Sequence, residues 1–527
     1  MYVMAYAPYG ADGVIIRVEA DIRRGIPGID ISGLAEGAVR EARERVMAAF
    51  RNSGYMFPPD RILINLAPAG MKKDGASLDL PIALSVMSAA KLAPPSDNIL
   101  VMGELELSGR VRPVRGVLAA TSAGLKAGIR EFIVPKENAR EAALLSEGTV
   151  SAVSTLSEAV LALINRANTG NLPKFQSSKE ECENITENTL LEDFSEVKGQ
   201  KKYKRALEIS AAGGHNLLVF GPPGAGKTML ARRMPSIMAN LTSEEAVEVT
   251  RLYSLAGQFK SLEEGNLIIN PPFRSPHHSA SAEGILGGGK TVRPGEISLS
   301  HFGILFLDEA PEFKANVLQS LREPLEDKVI TISRADGPVK LPADFQLILA
   351  SNTCPCARLG MRNFSEYGET NSNSHCFCTP EEIHKYWRKF GAALLDRVEL
   401  RVAVLSPNIN ELKKDNEQTS AEIAYRVSKA VEIQQERFKQ TEIRRNARMT
   451  PAMIEKFCQL SDEAERYFVI ALAKLGLSGR AFHGILRTAR TIADLEGSET
   501  ILSDHISEAV EYRQRGDDPY DILTLME

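Results

Sequence analysis

The chain of 527 residues opens with MYVMAYAPYGADGVIIRVEADI, which has neither the basic start, nor the continuous apolar stretch, nor the small-residue cleavage site of a secretory signal. Later apolar runs also fall short of membrane-spanning length, so the expectation is a cytoplasmic protein without a membrane partner. Neither sign of charge is in large excess: Lys+Arg 63 against Asp+Glu 68 leaves a net charge of -5. That balance excludes a molecule attracting polyanions over its whole surface, so any nucleic-acid contact must be local. Cysteine is scarce, with six in all, and four of them are bunched in two Cys-x-Cys pairs. This is no secreted disulfide framework, which leaves metal ligation or reduced thiols. There is no internal repeat or low-complexity tract. A composition of 43% hydrophobic, 25% charged and 6% aromatic residues leaves little room for extended disorder.

What is present exceeds one hydrophobic core, and two to four domains are expected at this length. Residues 1–165 alternate short apolar strands such as GVIIRVEA and RILINLAP with helical stretches such as VREARERVMAAFRNSG, as in an α+β or α/β domain. Residues 166–193 are polar, contain Gly and Pro, and read as a linker. Residues 194–405 run strand, Gly-rich turn, helix, then further buried strands, the pattern of a parallel sheet with crossover helices. Residues 406–527 carry only helical periods and read as a small helical domain.

The motif with most chemical content is HNLLVFGPPGAGKTMLARRM, in which an apolar strand leads into Gly-x-x-x-x-Gly-Lys-Thr and a helix follows. Gly221, Pro222, Pro223, Gly224, Ala225, Gly226, Lys227, Thr228 and Met229 are the candidate nucleotide-binding residues. The glycines let backbone N–H groups face phosphate oxygens, Lys227 neutralises the β/γ-phosphates, and Thr228 ligates Mg2+. The cofactors expected are ATP and Mg2+. Further on, GILFLDEAPEF ends a buried strand in Asp308 and Glu309, which fit a second magnesium ligand and the base that polarises the attacking water. FQLILASN ends in Asn352, suited to orienting water against the γ-phosphate. Arg397, after an apolar helix end, and Arg480, opening a late helix, are candidates to stabilise charge on the γ-phosphate; an isolated Arg is more commonly a surface ion-pair residue.

Cys354, Cys356, Cys376 and Cys378 lie in NTCPCARLG and SHCFCTPEE. They either converge on a structural Zn2+ or remain four reduced thiols, and their one-residue gaps are shorter than the usual two to four. His375 is a substitute ligand or a solvated loop residue, and Arg444, Arg445 and Arg448 read as a solvated basic face.

Residues 194–494 resemble the magnesium-chelatase-related branch of AAA+ ATPases, specifically the ComM/YifB family. The resemblance rests on DFSEVKGQKKYKRALEISAAGGHNLLVFGPPGAGKTML, FRSPHHSASAEGILGGG, PGEISLSHFGILFLDEAPEF, ALLDRVEL and LSGRAFHGILRTARTIADL. It implies a homohexamer with ATP between subunits, Asp308 and Glu309 as the Walker B pair, Asn352 as sensor 1, Arg397 as arginine finger and Arg480 as sensor 2. The implied fold class is an α/β P-loop domain with a C-terminal helical lid. The implied activity is that of a DNA motor, a branch-migration helicase of natural transformation. The DNA-contact candidates are then Arg274, His277, His278 and Lys290 in one insert and Arg334 and Lys340 in a hairpin, loops that in related ring helicases project into the pore. Residues 1–165 are similar to the α+β Lon protease C-terminal domain through KKDGASLDLPIALSVM and GELELSGRVRPVRGVLAATSAGLKAGIREFIVPKEN. Ser77 falls at the nucleophile position but Leu118 at that of the lysine base, and a serine without a base is a poor nucleophile. The competing function is a chelatase motor driving a partner protein, from which the Lon-like region ahead of the ATPase would distinguish this chain.

Overall fold

The computed structural model describes residues 2–33, 37–68, 76–145, 147–175, 192–258, 266–289, 292–334, 337–359, 364–365, 368–369, 376–405, 417–441, 443–475 and 479–514. Its N-terminal part is a seven-stranded mixed sheet in the order Gly28–Ser32, Arg61–Ala67, Val14–Arg23, Tyr2–Ala7, Ile99–Val101, Glu131–Pro135 and Thr149–Val153. The stretches GVIIRVEA and RILINLAP pair antiparallel, Ile22 opposite Ile62 and Val18 opposite Leu66. Alternation along them puts Val18, Ile62, Ile64 and Leu66 in the core. Helix Asp79–Ala89 is buried along nearly its whole length, and its first residue explains how a carboxylate survives there. Asp79 accepts from Arg45 of helix Gly37–Asn52 at 2.7 and 3.0 Å and from the Leu105 amide at 3.2 Å.

The segment read as a linker from residue 166 begins later than expected. Helix Leu156–Thr169 runs into its first residues, Leu172 joins the N-terminal core, and the Phe175 amide donates to Val150 O at 2.7 Å. The last turn is held by polar contacts that the period did not signal: Arg166 pairs with Glu131 at 2.7 Å, and Gly170 caps the helix in the left-handed region.

The second module is a five-stranded all-parallel sheet in the order Phe273–Arg274, Ile304–Leu307, Gln346–Ser351, Leu217–Phe220, Leu400–Ala403. Its central strands are buried at every position because both faces are covered, and apolar throughout except for Gln346 and Ser351 at the two ends of one strand. Leu217, Val219, Ile304, Phe306, Ile348 and Ala350 pack with helix Lys201–Gly213 and the C-terminal helices. Leu218, Phe220, Leu305, Leu307, Leu347 and Leu349 pack on the other side with Val317, Leu325 and Trp387. The last region is helical as expected: Ser420–Phe438, Pro451–Phe457, Asp462–Leu475, Gly479–Leu495 and Ser503–Gln514. None of the helices described is long and apolar enough to cross a membrane.

Helix Ser243–Ala256 joins the two modules. It starts with a capping box at Thr242 and Glu245 and lies against helix Val117–Lys126 of the N-terminal part. Arg251 pairs with Asp12 at 2.8 Å, and the Ser254 hydroxyl donates to the buried Glu141 carboxylate. Glu141 also accepts from the Leu118 amide and from Asn138 at 2.9 and 3.0 Å. Leu255 enters the N-terminal cluster around Tyr6 and Val117, a burial that contributes roughly 1.5–3 kcal/mol.

Candidate active site

Strand Leu217–Phe220 delivers the chain into the loop Gly221–Thr228. A Cβ on Gly221 would lie 2.0 Å from Val404 O, so a side chain there would force the neighbouring strand end away. Gly224 and Gly226 have φ of 77° and 84°, left-handed values that let successive amides face inward as an anion nest. Two residues without an obvious motif brace this loop. Gln200 donates to Ala225 O at 3.1 Å and Leu405 O at 2.6 Å, and the Tyr203 hydroxyl donates to Lys227 O at 3.0 Å. Pro222 and Ala225 are buried, whereas Pro223 and Met229 are exposed.

Lys227 is 8% exposed and donates to Gly221 O, Pro222 O and Asn352 Oδ1 at 2.7, 2.9 and 3.2 Å. Burial pushes its pKa down to about 8, against the opposing pull of Asp308 and Glu309. Among the described carboxylates none forms an ion pair with it. A buried ammonium held only by neutral oxygens gains from an anionic partner, which fits a triphosphate. Thr228 Oγ1 donates to Asp308 Oδ2 at 2.7 Å, placing two hard oxygen ligands together as Mg2+ requires.

Asp308 and Glu309 follow the wholly buried strand Ile304–Leu307. The Glu309 amide donates to Asp308 Oδ1 at 2.9 Å, and Glu309 has a left-handed φ of 49°. His278 Nδ1 lies 3.8 Å from Glu309 Oε2. Asn352 follows the adjacent strand and reaches Lys227. The fold therefore gathers Lys227, Thr228, Asp308, Glu309 and Asn352 at one end of the sheet, as their spacing suggested.

Arg397 and Arg480 are elsewhere. Arg397 O accepts from Asn216 Nδ2 at 2.8 Å, and Asn216 precedes the strand whose other end forms the phosphate loop. Four residues of strand, about 13 Å, separate the two edges. Arg397 and Arg480 instead meet each other's partner, since both bind Glu326 Oε1, at 2.6 and 2.7 Å. Arg397 first, then Arg480, hold the Glu326 carboxyl below its ordinary pKa. Arg397 is largely covered, at 14% side-chain exposure, against 54% for Arg480. Nothing in the local sequence singled out Glu326.

Of the DNA-contact candidates, Arg274 is committed inside the chain. It clasps Glu296 through two bonds of 2.6 and 2.7 Å and lies over the Tyr253 ring, so it is a structural cation and not one free for phosphate. His277 stacks on His278 with ring centroids 4.1 Å apart, which places the pair beside Glu309. Lys290 lies outside the described residues. Gly287 and Gly288 pair antiparallel with Pro294 and Arg293. The expected hairpin is present, Val329–Ile332 with Val339–Pro342, and it exposes Lys340 and, just past its first strand, Arg334. The basic run is not a solvated face. Arg448 clasps Asp344 at 2.6 Å and two backbone carbonyls, and Arg444 pairs with Glu245, because their acidic partners come from distant segments.

Cys354, Cys356, Cys376 and Cys378 come together with all four sulfurs within 4.8 Å of one another. His375 falls outside the described residues. Ser77 lies in the turn Ala76–Leu78, and Leu118 is fully buried in the helix that starts at Val117.

Residues 193–412 match the family described as magnesium chelatase, subunit ChlI, residues 417–513 match its C-terminal family, and residues 18–138 match one described as subunit ChlI of Mg-chelatase. The chain is 38% identical to the competence protein ComM of Haemophilus influenzae, over 97% of each. It is 39% identical to YifB of Escherichia coli over 96% of each. A more distant likeness, 24% identity over 165 residues, links 30% of this chain to 20% of the Lon protease of Geobacter metallireducens. ATP hydrolysis is implied by the family that these full-length matches define, and the chain belongs to it: it is a member of the ComM/YifB family of magnesium-chelatase-related AAA+ ATPases.

Proposed function

We propose that this ATPase works as a homohexameric motor on DNA, a branch-migration helicase of transformation or recombination. The observation that carries the ring is the placement of Arg397 and Arg480 at the sheet edge opposite their own phosphate loop. From there they are placed for a neighbour's ATP rather than their own, and such a head-to-tail interface builds a ring when the rotation between subunits closes. For DNA the support is full-length similarity to a competence protein and the exposed Lys340 hairpin.

In this reading Lys227 and the loop amides hold the β/γ-phosphates, and Asn352 and Lys227 together fix the γ-end. Thr228 and Asp308 would hold magnesium, which would supply the charge that neutralises the phosphate oxygens. Glu309 takes the proton of the attacking water, and Arg397 of the next subunit meets the charge that develops on the transferred phosphoryl group.

A chelatase-like motor driving a partner protein is the second reading. The N-terminal region does not set it aside, since residues 18–138 themselves match a family described as a chelatase subunit. Peptidase chemistry lacks support, because buried Leu118 offers Ser77 no base.

Subunit mixing tests the shared site. Lys227→Ala and Arg397→Ala chains should each be inactive, yet a one-to-one mixture should recover activity through the about one-quarter of interfaces that are intact. No recovery would refute action across the interface. ATP turnover on forked, four-way and single-stranded DNA tests the substrate. Indifference to all of them would remove the DNA reading and leave the ATPase.

A further inference from the structure

The four-cysteine cluster holds a chemistry that ATP hydrolysis does not use. Sulfur–sulfur distances are 3.4 Å for Cys354 to Cys356, 3.6 Å for Cys356 to Cys376 and 3.5 Å for Cys376 to Cys354. Disulfide sulfurs would be about 2.0 Å apart, so these are separate thiols. Four ligands at a zinc–sulfur distance of about 2.3 Å form a tetrahedron with edges of about 3.8 Å, close to this arrangement. The short Cys-x-Cys spacing is accommodated by a tight turn: Ala357 has φ of 60° and its amide donates to Cys354 O at 3.0 Å. Thiolates crowded this closely repel one another unless a cation lies among them. An all-sulfur set of four selects a soft or borderline ion and leaves no open position for a substrate.

The cluster is tied to the ATP site at both ends. Cys354 follows Asn352 by two residues, and Asn352 reaches Lys227. Cys378 immediately precedes Thr379, which caps helix Pro380–Trp387. At the end of that helix Trp387 donates to Thr353 O at 3.1 Å and meets Phe220, the residue before the phosphate loop, edge-on at 5.4 Å. We propose that Cys354, Cys356, Cys376 and Cys378 bind one structural zinc ion, which clamps the Asn352 turn to helix Pro380–Trp387 and so holds Asn352 at the γ-phosphate end of the site. The metal site is independent of the DNA reading, while its effect on Asn352 rests on the ATPase assignment.

Metal content of the full-length protein, purified reduced and without chelator from zinc-replete cells, decides the first part. About one zinc per chain is expected, released when a mercurial blocks the thiols. Less than about 0.1 zinc per chain, both as purified and after incubation with zinc and dialysis, would overturn it, as would iron in zinc's place. The Cys354→Ser/Cys376→Ser variant decides the second part. It should bind a fluorescent ATP analogue within about twofold of the parent affinity but turn over about 10-fold more slowly or worse. Cys376→His, which keeps a ligand, should restore both zinc and part of the rate. A folded, zinc-free variant with undiminished turnover would refute the clamp. If the double variant does not fold, zinc stripping of the native protein by the mercurial supplies the same comparison.

Discussion

Arg397 and Arg480 donate to one and the same carboxylate oxygen, Glu326 Oε1, although they belong to different domains. One negative charge thus holds two cations on the face turned away from this chain's own ATP loop. A neighbour's γ-phosphate would compete with Glu326 for both. Glu326→Gln should therefore lower the apparent KM for ATP by about 3- to 10-fold in the assembled ring, whereas Arg397→Ala should lower kcat by about 10³. Steady-state ATPase assays above the assembly concentration test this. A fall in kcat for Glu326→Gln would mean that the carboxylate positions the arginines instead of competing for them.

Glu309→Gln should bind nucleotide normally and hydrolyse it at least about 100-fold more slowly, since the amide cannot accept the proton of water. Lys227→Ala should instead lose binding. Equilibrium titration with a fluorescent nucleotide beside single-turnover hydrolysis separates the two, and equal loss of binding in both would contradict these roles.

His278 and Lys340, both DNA-contact candidates by sequence, should now behave differently. His278 faces Glu309 at 3.8 Å, so His278→Ala should slow hydrolysis about 10-fold while leaving the salt dependence of DNA binding unchanged. Lys340→Ala should leave basal ATPase intact and reduce the slope of log K against log salt by about one per contacting subunit. Salt titrations of DNA affinity check both, and a shallower slope for His278→Ala would restore it to the DNA surface.

Acid should weaken the contact between lid and sheet. His215 is fully buried, with Nε2 2.8 Å from Thr491 Oγ1 of helix Gly479–Leu495. Burial, aided by Arg487 and Arg448, drives its pKa down to about 3. An unfolded histidine titrates near 6.5, so between these values the unfolded chain binds the extra proton and stability falls as pH drops below 6.5. The loss at pH 5.5 is about 1.4 kcal/mol. His215→Gln should flatten the pH dependence of the unfolding midpoint between 7.5 and 5.5, and an unchanged acid slope would show that other groups carry it.

The elements that position ATP were legible because they are local. An apolar strand, glycines at fixed offsets and an acidic strand end can be read within a dozen residues, and Lys227, Thr228, Asp308, Glu309 and Asn352 met as their spacing implied. The fate of an isolated charge is different, because it is set by a partner far along the chain. Arg448 looked solvated until Asp344 came to it, Arg274 looked available until Glu296 closed on it, and Glu326 had no local signature at all. The cysteines were an intermediate case, visible as two pairs while their convergence depended on the fold.

Helix Ser243–Ala256 belongs to the ATPase by sequence, yet its Ser254 and Leu255 are gripped by Glu141 and the Tyr6 cluster of the N-terminal part. It also packs against Arg293–Pro294 and helix Glu296–Leu299, which close the glycine-rich insert. Displacing that insert pulls on a beam whose far side is buried in another domain, and close-packed interiors transmit strain rather than absorb it. Through Glu141 and the Tyr6 cluster the N-terminal part is thus coupled to the insert: any shift of the helix must either carry that part along or be resisted by it.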